Sequence, residues 1–121
     1  RVLRPGSQVY ITEVMNSSFF LDPYSPNVWK YWMAFNDFQY DNAGDPFVGA
    51  KLGNLLSSVG FQKVSTEVIT WYLDNRNPEY RKKMIEYWTD LLMSAMDPLI
   101  KSNYVTQEIV DKAKDELKSV Q

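Results

Sequence analysis

Two groups of side chains in this sequence have the types and spacing to do chemistry. Glu13 and Asn16 stand three positions apart, where a carboxylate can orient or deprotonate a nucleophile and an amide can help to hold it. Just after them, Phe19, Phe20, Tyr24, Trp29, Tyr31, Trp32, Phe35, Phe38 and Tyr40 crowd one short stretch. Small-molecule pockets are lined by apolar and aromatic groups with a few placed polar ones. Asn16, Phe19, Tyr24, Trp29 and Trp32 are therefore the candidate substrate-binding residues, and Glu13 is the candidate catalytic one. The plainer alternatives stay open: a core helix with a flap packed on it for the aromatics, and a helix cap or an ion pair with Arg1 or Arg4 for Glu13.

The rest of the inventory narrows the chemistry. There is no histidine and no cysteine, which removes disulfides, imidazole or thiolate metal sites and every nucleophile–histidine dyad. A general base must then be a carboxylate, a lysine or a tyrosine, and no metal site is expected. Gly44 to Lys51 approaches a phosphate-binding loop but has Ala50 where the lysine belongs and no hydroxyl after it, so it reads as a loop and a helix cap. Asp22, Asp37, Asp41 and Asp45 fit no calcium-loop spacing. The 13 basic and 15 acidic residues give a net charge of -2, with no basic stripe, and nucleic acid is not an expected partner. No apolar run approaches the ~20 residues that span a membrane. A soluble, cytoplasmic protein is the expectation.

The elements that must position these residues follow from local signals. Pro5 and Gly6 make Arg4-Pro5-Gly6-Ser7 a turn, feeding a strand over Gln8 to Met15 that ends at the candidate residues. A capping residue followed by proline announces three helix starts, Ser25-Pro26, Asp45-Pro46 and Asn77-Pro78. The helices run over about Pro26 to Tyr40, Pro46 to Val59 (with Gly60 at its left-handed end) and Pro78 to Met96, the last stopped or kinked at Asp97-Pro98. Phe61 to Leu73 shifts to β-branched and aromatic residues, a second strand. Thr106 caps a final helix to about Ser119, stapled by Val105 and Val110 and otherwise mostly solvated. These elements make an α/β unit of two strands and about four helices, and with 45% hydrophobic residues and no linker the chain reads as a single unit, residues 1–121.

Leu3-Arg4-Pro5-Gly6-Ser7 leading into a strand resembles the approach to the fifth strand of class I (Rossmann-like) methyltransferases that use S-adenosylmethionine, departing from their pattern at Ser7. Gly44 to Gly49, and then Leu52 to Phe61, are similar to the helix and Gly-Phe turn before the sixth strand. The resemblance implies a carboxyl-terminal half of the catalytic domain, with residues 17–43 as the substrate lid over a small-molecule methyl acceptor. It also implies that the residues holding S-adenosylmethionine lie upstream, so that this chain alone binds no cofactor and is inactive. A strand missing between Gln8–Met15 and Phe61–Leu73 would leave edges to pair, and a homodimer is the expected state. The competing expectation is a non-enzymatic module that binds a protein partner through exposed aromatics.

Overall fold

Proline, with φ preset and no amide to orphan, opens two helices of this computed structural model, which describes residues 3–120: α1 (Pro26–Asp41) and α3 (Pro78–Met93). Between them lies α2 (Val48–Ser58), and after them α4 (Met96–Lys101) and α5 (Gln107–Val120). A single 3-10 turn, Asn16–Ser18, precedes α1. Among the described residues there is no strand.

The expected α/β fold with two strands is therefore corrected to an all-helical one. Both segments read as strands do run straight, without bends, over residues 8–15 and 64–74. Neither pairs: among the described residues, 8–14 and 62–73 make no backbone–backbone hydrogen bond. β-branched and aromatic residues favour extended backbone, but a ladder needs a second backbone in register, and two strands alone are marginal in water. Each segment leans instead on the glycine face of α2. A Cβ on Gly49 would meet the Val14 carbonyl oxygen at 2.7 Å, and one on Gly53 would meet Thr66 Cγ2 at 3.2 Å.

The core is built where α1 crosses α5 and α4. Helix α1 contributes Val28, Tyr31, Trp32 and Ala34, and α5 contributes Val110, Ala113, Leu117 and Val120 at helical spacing. The last helix, expected to be mostly solvated, is thus the main partner of α1, because one narrow stripe of small and branched residues suffices for close packing. Its Lys112–Glu108 and Lys118–Asp115 pairs lie on the outer face, where ion pairs contribute little. Tyr31 has no exposed surface and donates its hydroxyl hydrogen to the Leu92 carbonyl at 3.0 Å.

Helix ends show which local signals held. Asn77 Oδ1 accepts from Tyr80 N at 3.3 Å and Thr106 Oγ1 from Ile109 N at 3.3 Å, as expected of caps, and Val105 and Val110 are both buried. Ser25 does not cap: its hydroxyl donates to the Pro23 carbonyl, and the first amides of α1, of Asn27 and Val28, are served by Glu116 of α5. A carboxylate answers the positive end of a helix better than a hydroxyl does. Asp45 accepts from Phe47 N at 3.0 Å, but regular helix begins only at Val48. Helix α3 stops at Met93, earlier than the Pro98 signal implied, and Pro98 lies in the first turn of α4, where a missing amide is tolerated. Gly60 takes φ +93 just past α2, with Phe61 N bonded to Leu56 O and Gly60 N to Ser57 O. The same two-bond ending closes α1 at Ala43 and α4 at Asn103.

Candidate functional site

The candidate residues meet where the first extended segment ends. Asn16 is buried, and the fold uses its polar groups. Its backbone amide donates to the Pro46 carbonyl at 3.4 Å and its carbonyl accepts from Trp32 Nε1 at 2.9 Å. Its side-chain Nδ2 donates to Asn36 Oδ1 at 2.8 Å, with a longer contact to Gln39 Oε1 at 3.4 Å. The segment carrying Glu13 is thereby locked to the middle of α1. Asn36 is itself buried and its Nδ2 has no partner among the described residues.

Around this lock the aromatics divide into an interior group and a surface group. Trp32, 8% exposed, lies with ring centroids 5.1 Å from Phe19, 5.7 Å from Phe35 and 5.5 Å from Trp88. Phe19 stacks on Trp88 at 4.5 Å. Phe19 and Trp32 are thus packing residues that hold the segment after Asn16 against α1 and α3. Trp29 touches this group through Phe19 at 5.8 Å, and with Tyr24 it also lines an open depression of about 480 Å³ bounded by Lys30, Met33, Asp37 and Tyr104. Tyr24 is 75% exposed at its rim. Tyr104 donates its hydroxyl hydrogen to Asp41 Oδ2, and that bond raises the Tyr104 pKa. Of the lining candidates, only Tyr24 and Trp29 face a hollow that a ligand could enter.

Glu13 lies apart from both groups, exposed on the extended segment, with no hydrogen bond or ion pair among the described residues. Its pairing with Arg1 falls outside the described residues. A second, smaller groove of about 300 Å³ separates the two extended segments: Met15 on one side, Thr66 and Glu67 on the other, and Gly49 and Gly53 of α2 below.

Sequence reasoning missed Asn36, Trp88, Tyr104 and Glu116 as members of this region. Asn36 carried a usable signal, since it follows Trp32 by one helical turn and so shares its face. Trp88 carried a weaker one, as the aromatic member of the Ile85 to Leu92 stripe of α3. Tyr104 and Glu116 carried none, because their partners lie 63 and 89 residues away in the chain.

No family model, curated protein or solved structure matches the chain. No helix among the described residues is long and apolar enough to cross a membrane, and no three acidic side chains gather where a metal ion could be held. The glycines also bear on the cofactor that the methyltransferase resemblance implies. Gly6 serves a turn, Gly44 and Gly60 follow helix ends, and Gly49 and Gly53 lie inside α2. No two glycines share a loop that runs into a helix, so the described residues do not fit the nucleotide-binding loop that S-adenosylmethionine requires.

Proposed function

We propose that the chain is the acceptor-binding portion of a cytoplasmic methyltransferase that uses S-adenosylmethionine and acts on a small molecule, the cofactor being held by polypeptide outside these 121 residues. The observation that carries this reading is the lock at Asn16. The segment introduced by the Arg4–Ser7 turn, with Gly6 at φ +82 and Ser7 N bonded to Arg4 O, ends in hydrogen bonds to Trp32 and Asn36 of the aromatic helix. That is the arrangement a segment needs if its end is to be fixed beside an acceptor site. In this reading Tyr24 and Trp29 hold the acceptor, and Asn16, Phe19 and Trp32 are positioning residues that fix the segment carrying Glu13 against α1. Methyl transfer gains much of its rate from proximity and alignment, so a rigid mount serves it without a strong base.

The coding sequence upstream of Arg1 tests the reading. A Gly-x-Gly-x-Gly loop following a strand, ~90 to 110 residues before Arg1, is expected, and polypeptide that includes it is expected to bind S-adenosylmethionine where the 121-residue chain alone does not. Absence of such a loop, or cofactor binding by the isolated chain, overturns it. The second reading, a module that binds a protein partner, is favoured by one observation: Trp71 and Tyr72 are about two-thirds exposed.

A further inference from the structure

We infer that two copies of this chain associate by pairing residues 64–72 as antiparallel strands about a two-fold axis at Val68. The inference is independent of the methyltransferase reading, since neither cofactor nor acceptor enters it. Residues 64–74 run straight, and 62–73 make no backbone–backbone hydrogen bond among the described residues. Val68, Ile69, Trp71 and Tyr72 are each at least 66% exposed. A bare backbone carrying β-branched and aromatic side chains is a template for another strand.

The sequence of the segment suits a second copy in this register. With Val68 on the axis, Val64 stands opposite Tyr72 of the second copy and Thr66 opposite its Thr70, so β-branched, aromatic and threonine pairs fall on one face. On the other face Ser65 meets Trp71 and Glu67 meets Ile69. Lys63 and Glu67 are the only charges in residues 62–73, and in this register neither meets its own kind. An axis at Glu67 would set two carboxylates directly opposite each other, which is destabilising.

Area argues the same way. An aromatic residue offers about 150–250 Å², and exposed Val68, Ile69, Trp71 and Tyr72 together present on the order of 600 Å², to which the paired backbones add, against about 800 Å² per partner in a standard interface. Monomers seldom leave an apolar patch above about 600 Å² in water.

The absence of cysteine makes a direct test possible, because Val68→Cys introduces the only thiol. Opposed Cα atoms in an antiparallel pair are about 4.5–5.5 Å apart, within the about 4.4–6.8 Å that a disulfide spans. The unmodified chain is expected to sediment as a dimer, the oxidised Val68→Cys variant to run as a covalent dimer, and Ser65→Cys, well off the axis, to stay largely uncrosslinked. Val68→Pro is expected to sediment as a monomer with unchanged helical circular dichroism. A monomer at all concentrations, or equal crosslinking at positions 65 and 68, overturns the inference.

Discussion

The α1–α5 core and the pair of extended segments are both rich in aromatic and β-branched residues, yet one is dry and the other wet. Tyr31 has no exposed surface, whereas Tyr10 is 87% exposed. Hydrophobicity does not separate them; the backbone does. A helix bonds its own amides and carbonyls and brings a satisfied rod to the packing surface, so α1 can bury Tyr31 and Trp32 at no polar cost. Residues 8–14 and 62–73 satisfy nothing internally, and burying them would strand their amides. Most of the apolar side chains in this core, as along α1 and α5, enter on backbone that already has its partners.

The largest effect expected of any substitution in this comparison is at Trp32. Trp32→Ala should cost about 3–5 kcal/mol, read from urea unfolding in dilute solution; a cost near zero would mean that the interior aromatic group is not packing. Next comes Glu116→Ala, which removes the acceptor of the Asn27 and Val28 amides and should cost about 1–3 kcal/mol. Loss of helical signal confined to α1 would sharpen the assignment.

A pH titration reads the dry region directly. Burial pushes the Tyr31 hydroxyl from its ordinary 10 up to about 12. The folded state therefore keeps a proton that the unfolded state loses first. The resulting stability is whole below pH 10 and is lost as pH rises through about 12. Tyrosinate absorbance should show Tyr31 as a late tyrosine, beside Tyr104, whose bond to Asp41 also raises its pKa, and the Tyr31 step should disappear in Tyr31→Phe.

Smaller effects follow. Ala43 sits at φ +62, the left-handed position that Gly60 fills without strain. Ala43→Gly should stabilise by roughly 0.5–1 kcal/mol, the relief of strain exceeding the added freedom of the unfolded chain, as a thermal melt would show. Smallest of all, Trp71→Ala should change monomer stability by less than about 0.5 kcal/mol, in contrast to Trp32 despite the identical deletion.

What was legible in the sequence was local. Pro26, Pro78, Gly60 and the Val105–Thr106–Val110 staple announced helix boundaries through residues no more than a turn apart, and the Arg4–Ser7 turn formed as its Pro-Gly pair required. The extended course of residues 8–15 and 64–74 was legible too, because β-propensity acts residue by residue. Strand pairing was not, since it depends on a second backbone that no local pattern guarantees. Within the candidate site, Asn16 and Trp32 were picked out and do meet, but as a lock and not as a lining. The burial of Trp32 was not legible because it depends on the face of α3 that Trp88 presents, information held more than fifty positions away.

The carboxylate that completes α1 is made long after the helix it serves. Glu116 follows Asn27 by 89 residues, and at about 5–20 residues per second of synthesis the delay is on the order of 5–20 seconds. Through that interval a growing chain carries Trp32 and Tyr31 with neither the stripe of α5 to cover them nor an acceptor for the first amides of their helix. Translation thus opens a window in which the stickiest part of the molecule depends on dilution or on chaperones, and the last fourteen helical residues close it.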